Sequence, residues 1–234
     1  PDSRTITEDS PLRSNMYPHR SEPPREANDP EFWMDNYDKI LAERILLNAP
    51  DLPTTVLRLP AVYGPGDQQH RIFAFLKRMD DGRPAIILDE KLAHWRWTHG
   101  YVENVVAAIA LAVVSEKASR RIYNVGEAQT FTQEEWVRQI GQAADWHGRI
   151  VVVPQDRIPA ELLYAMWHMS DANTDQDIVV DTTRIRKELG YAEPVPLDVA
   201  MQRTVAWERA NPPAKIDPKA FDYAAEDAVL ASLR

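Results

Sequence analysis

Thr54-Thr-Val-Leu-Arg-Leu-Pro-Ala-Val-Tyr-Gly-Pro-Gly-Asp67 (TTVLRLPAVYGPGD, residues 54–67) carries the pattern from which the rest of the chain can be read. TTVLRL is β-branched and apolar and lies between Pro53 and Pro60, which marks a buried strand, and AVYGPGDQ follows it as a turn. Downstream, IFAFLKRMDDG (72–82) predicts a helix ended by Gly82, PAIILD (84–89) a strand, and WRWTHGY (95–101) an aromatic connection into an apolar helix from Val102. IYNVG (122–126) predicts a strand. Thr132 and Glu135 form a capping box for a helix reaching about Asp145, and IVVVP (150–154) closes that unit. A helix over 157–169, a strand at DIVVD (177–181), a helix at TRIRKELG (183–190) and another at PLDVAMQRTVAWERA (196–210) follow. The acidic tail after Pro212-Pro213 is expected as a loosely docked helix. Upstream, Asp29-Pro30 offers an N-cap and a first-turn proline to a helix carrying Phe32, Trp33, Ile40, Leu41, Ile45 and Leu46 and ending at Pro50. Residues 1–29, rich in proline and charge, read as an extended surface loop. Strands alternating with helices of this length favour βαβ units, hence an α/β fold on a parallel sheet.

The composition narrows the class. Of 234 residues, 27 are Lys or Arg and 36 Asp or Glu, a net charge of −9, and 44% are hydrophobic, so a globular core is assured and disorder is excluded as the main state. There is no cysteine, which rules out a disulfide framework and a thiolate nucleophile or zinc site. The six histidines show no ligand spacing, and no metal is expected. A pI near 5.2 argues against a nucleic-acid or anionic-membrane partner. The apolar run between Glu103 and Glu116 falls short of the ~20 residues that span a bilayer. Cytoplasm is the default location. Glycine is scarce, 8 residues in all, and the first methionine is Met16, so the chain is expected to lack a glycine-rich N-terminal part.

Several stretches, in order, carry a family resemblance: TEDSPLR (7–13), the helix around YDKILAE (37–43), LRLPAVYGPGD (57–67), YVENVVAAIALA (101–112), IYNVGE (122–127), and DTTRIRKELGY (181–191) with the following RTVAWERAN (203–211). Together they resemble the C-terminal two-thirds of an extended short-chain dehydrogenase/reductase of the NAD-dependent epimerase/dehydratase type. The resemblance implies a partial doubly wound (Rossmann-like) parallel sheet with a smaller substrate-binding domain. It implies NAD or NADP as cofactor and a small-molecule substrate, with homodimerisation as a family expectation. It places the remaining NAD(P)-binding domain at 1–66 and 102–130, the substrate domain at 67–101 and 131–211, and a C-terminal tail at 212–234. The family's phosphate-binding glycine turn and its active-site Ser/Thr are expected upstream of Pro1, because Gly64-Pro65-Gly66 is followed by Gln69 where a third glycine is needed.

In this family a Tyr-x-x-x-Lys pair on one helix moves the proton; the lysine lowers the phenol's pKa and holds the nicotinamide ribose. Lys39, with Glu43 four residues on, matches the lysine. Asp35 stands where the tyrosine belongs, and Tyr37 is only two residues from Lys39. On a regular helix that offset puts the two on different faces, so Tyr37 needs a local break to serve. Three assignments stand open for the acid/base: Tyr37 through distorted backbone, Asp35, or a tyrosine from elsewhere such as Tyr17. An ordinary helix tyrosine and a surface lysine paired with Glu43 are the plain alternatives. Leu59 and Pro60 stand where the family walls the nicotinamide. Ala61 occupies the position at which sugar-nucleotide epimerases usually present Asn, and Arg71, Arg96, His99 and Tyr101 lie in segments that border the substrate. The leading expectation is an NAD(P)-dependent oxidoreductase or epimerase/dehydratase acting on a carbonyl/alcohol carbon. The alternative is a catalytically inactive dinucleotide-binding sensor or scaffold of the same fold.

Overall fold

The computed structural model describes residues 4–162 and 174–233. Most strands pair in parallel across helical crossovers. β2 (Thr55–Arg58) pairs with β7 (Arg121–Asn124), β3 (Ala61–Tyr63) with β6 (His99–Tyr101), β4 (Ala85–Asp89) with β9 (Arg149–Val153), and β1 (Thr5–Ile6) with β10 (Val179–Val180). β5 (Arg96–Trp97) and β8 (Phe131–Thr132) form an antiparallel pair. The helices are α1 (Lys39–Asn48), α2 (Phe73–Asp80), α3 (Glu90–His94), α4 (Val102–Val114), α5 (Gln133–Ala143), α6 (Thr183–Leu189), α7 (Leu197–Ala210) and α8 (Tyr223–Ser232). The parallel α/β architecture read from the alternation of elements is the one observed. Of the helix expected over 157–169, residues 163–169 lie outside the described residues.

Three local readings are corrected. AVY, expected as part of a turn, is strand β3. Pro60 has no N–H to give to a ladder, and at Leu59-Pro60 the chain leaves β7 as its neighbour and takes up β6. The helix expected from Asp29 to Pro50 is two pieces: a 3₁₀ turn, Phe32–Asn36, and α1, parted at Tyr37-Asp38. Asp38 causes the parting, since its carboxylate accepts from the N–H groups of Ile40 and Leu41 and so starts a new helix there.

The third correction concerns the tail, which is docked firmly. Arg78 of α2 and Glu226 of α8 form an ion pair at 2.7 Å with both side chains fully buried. Arg78 also donates to the carbonyls of Ala74 and Ala220, and Val229 joins the core.

Two apolar cores result. The larger gathers β4, α2, α5 and α7 around Ile86, Ile87, Leu88, Trp95, Trp136 and Ile140. The smaller packs α4 and α6 on β7 through Val105, Ala108, Tyr123, Val125 and Ile185. Among the described residues no helix is long and apolar enough to cross a membrane.

Candidate functional site

Parallel pairing of β3 with β6 sets Ala61 opposite His99 and Tyr63 opposite Tyr101, so three of the expected substrate-side residues share one wall. One carboxylate stitches its C-terminal end: Oε1 of Glu127, just past β7, accepts from the Tyr63 hydroxyl at 2.9 Å and the Tyr101 N–H at 3.1 Å. Burial pushes the Glu127 carboxyl above its ordinary range despite these two donors. It pushes both phenols up as well; for Tyr63 the Glu127 charge adds to the effect, and for Tyr101 its hydrogen bond to Glu103 does. The two phenols are therefore proton holders, not ready anions. His99 lies stacked on Trp136, centroids 3.9 Å and planes 6° apart. Its imidazole is driven down to about 3 by burial, with the Arg71 charge adding and a bond to the Trp97 carbonyl opposing. His99 is thus neutral, and its Nδ1 is buried without a partner.

The loop leaving β3 curls back over this wall and, with Val102, lines a cavity of about 260 Å³. Gly64 makes the curl possible: its φ is +126°, and a Cβ there would stand 2.8 Å from both the Tyr101 ring and Val102. Arg71 reaches the cavity, donating from Nη1 to the Val62 carbonyl at 2.8 Å and pairing with Asp67, while its Nε is buried without a partner. Arg96 lies aside on β5, donating to the Thr130 carbonyl at 3.1 Å. The structure therefore gathers Ala61, Arg71, His99 and Tyr101, and sets Arg96 apart from them.

A second cluster surrounds the parting before α1. Asp35 is buried and accepts from the backbone N–H groups of Ser21 and Arg25 and from the Arg25 guanidinium. Burial alone would raise its carboxyl, but those bonds outweigh it and hold the group below the usual range, so it is an anion fully committed to anchoring the preceding loop. Asp38 anchors the same loop through the Tyr17 N–H at 2.7 Å and Arg13 at 2.9 Å. Between these two anchors Tyr37 is extended and partly exposed, its ring edge-on to Trp33 at 5.2 Å. The Lys39 ammonium stands 5.9 Å from the Tyr37 ring centroid. The expected partner of Lys39 is engaged elsewhere: Glu43 receives Arg58 through Nε at 3.1 Å and Nη2 at 2.8 Å. Among the described residues no carboxylate pairs with Lys39.

That Arg58–Glu43 bridge joins the clusters, because Arg58 ends β2 and the next two residues are Leu59, exposed, and Pro60, packed toward Gly100. Arg58 also donates to the Glu8 carbonyl, and the Glu8 carboxylate accepts from the Asn124 N–H at 2.9 Å. The C-terminal end of β2 is thus tied to α1, and the C-terminal ends of strands are the side on which ligands lie in parallel sheets. The Lys39 ammonium and the Tyr37 phenol are groups chemically able to hydrogen-bond ribose hydroxyls. Reading the sequence missed Asp38, Glu127 and the Arg58–Glu43 bridge. Only Asp38 left a local signal, as an Asp directly before an apolar helical run.

Residues 13–126 match the NAD dependent epimerase/dehydratase family. The chain is 30% identical over 191 residues to an uncharacterized protein, y4nL, of Sinorhizobium fredii, covering 72% of this chain and 52% of that protein. It is 31% identical over 159 residues to dTDP-glucose 4,6-dehydratase of Streptomyces griseus, covering 67% of this chain and 43% of the relative. It therefore spans about half the length of the relatives it matches. In fold it is similar to dTDP-glucose 4,6-dehydratase from Bacillus anthracis, solved in complex with NAD, with a TM-score of 0.60 at 19% identity over 90% of this chain and 58% of that one. Over the matched residues, the chain belongs to the NAD-dependent epimerase/dehydratase family.

Proposed function

We propose that the protein is an NAD(P)-dependent epimerase/dehydratase or oxidoreductase acting on a carbonyl/alcohol carbon of a small molecule. One observation carries the reading: the helix parts at Tyr37-Asp38, which sets the Tyr37 phenol beside the Lys39 ammonium while Glu43 is occupied by Arg58. Lys39 would hold the ribose, and Leu59 and Pro60 would wall the nicotinamide. When bound, the dinucleotide supplies hydride acceptance and donation. Tyr37 holds or moves the proton at its hydroxyl, and the wall of Ala61, His99 and Tyr101 with Arg71 receives the substrate. Asp35, consumed by its anchoring bonds, is the weaker acid/base candidate. In the proposed division into a nucleotide domain (1–66, 102–130) and a substrate domain (67–101, 131–211), the smaller core supports the former through α4 and β7 but also draws in α6, and the larger core takes in Tyr63.

Calorimetric titration of NAD+ and NADP+ into the intact protein tests this. Binding is expected, and Lys39→Met should weaken it roughly tenfold, the worth of one charge-assisted hydrogen bond. Absence of binding refutes the proposal. The Tyr-to-Lys spacing of two supports a second reading, a dinucleotide-binding sensor without turnover. If the dinucleotide binds while Tyr37→Phe and Asp35→Asn both leave turnover unchanged, the acid/base assignments fall.

A further inference from the structure

His70 ends the loop that lines the cavity, and it does so at a φ of +49°, a conformation L residues adopt only where their surroundings hold them. Here the holder is α7. Nδ1 of His70 lies 2.6 Å from Oε1 of Glu208, whose side chain is 1% exposed. The imidazole also stacks on Trp207, centroids 5.8 Å and planes 20° apart, and meets Phe73 edge-on at 6.4 Å. α7 is itself a fixed post: Arg209 binds Asp80 of α2 through Nε and Nη2, and Ala200, Met201 and Val205 sit in the larger core. Within the loop, Asp67 gathers the N–H groups of Gln69 and Arg71, and the His70 N–H donates to the Asp67 carbonyl, so the loop is a compact unit. Where His70 is held, the neighbouring Arg71 is held with it.

We infer that Glu208, acting through His70, is a positioning residue that latches the 64–71 loop to α7 and so fixes Arg71 in the cavity. The inference rests on the reading of this cavity as the substrate side. The charged groups around the latch are Asp67 and Arg71, which pair with each other, and Arg209 and Asp80, which do likewise; Lys77 of α2 turns to Asp81. The Nδ1···Oε1 hydrogen bond is the latch itself, and burial holds the Glu208 carboxyl above its usual range, partly offset by that bond to His70.

Hydrogen–deuterium exchange of the intact protein at neutral pH reads this directly. Protection of 64–72 should fall roughly tenfold in Glu208→Gln, with α5 and α8 unchanged, and the double variant His70→Gln/Glu208→Gln should lose no more than His70→Gln alone. Wild-type protection of 64–72 in Glu208→Gln, or losses that add in the double variant, overturns the inference. If Glu208→Gln does not fold, His70→Gln decides by the same criterion. None of these needs a dinucleotide, so failure of NAD(P) binding would remove the substrate meaning and leave the latch, while unchanged protection would do the reverse.

Discussion

His99 shows how far a residue's role can lie from its type. A histidine beside an arginine and two tyrosines invites an acid/base role, yet its ring is buried against Trp136 and stays neutral down to about pH 3. The unfolded chain protonates this imidazole near its ordinary pKa of about 6.5. Between these values the unfolded state binds the extra proton, so stability is present above the unfolded pKa and is lost as pH falls through that window. The slope is about 1.4 kcal/mol per pH unit, and about 2 kcal/mol should vanish between pH ~6.5 and ~5. His99→Phe keeps the stack and removes the proton, so urea denaturation should show that part of the acid loss disappearing. An equal loss in both proteins would exclude the imidazole as its source. His99 was legible as a candidate only through the family resemblance of its segment. Its neutrality was not, because that depends on Trp136, contributed by a helix after β8.

At the scale of elements, β2, β4, β7, β9 and most helix ends were legible because prolines, glycines and caps mark them in the chain, whereas β1, β3, β5, β6 and β8, two or three residues each, are too short to show a period and were not read as strands. Gly82 and Gly190 end α2 and α6 at positive φ, and the Thr132–Glu135 capping box opens α5 as its spacing requires. The α1 region was misjudged because an apolar period ran unbroken through a residue that caps. Asp38 serves the N–H groups of Ile40, Leu41 and Tyr17 at once, so it starts the helix and ties down the long loop before it. Asp38→Ala should speed proteolysis within residues 10–36 by roughly tenfold, the usual worth of a cap, and leave α4 and α5 protected. The bonds that hold the Asp38 carboxyl below its usual range outweigh the burial that would raise it. The loop should accordingly stay docked above the ordinary carboxylate range and release as pH falls below it.

For the molecule as a whole, the C-terminal tail is part of the larger core. Sequence alone could not show this: Arg78 looks like an ordinary charge on an amphipathic helix, and its partner Glu226 is 148 residues away. Arg78→Met leaves the Glu226 carboxylate buried, with Arg83 at 3.9 Å as its remaining ion-pair partner among the described residues. The expected loss is about 3–5 kcal/mol, and the double variant Arg78→Met/Glu226→Met should recover most of it. Denaturation midpoints of the two variants check this, and equal destabilisation would mean that shape, and not charge, ties the tail down. The parting at Tyr37-Asp38 has its own consequence for how such a protein can diverge. With phenol and amine on opposite sides of a joint, the three-residue interval that binds the pair to a single helix face no longer constrains them. Insertions and deletions in the preceding segment can then re-aim the tyrosine while the lysine keeps its register.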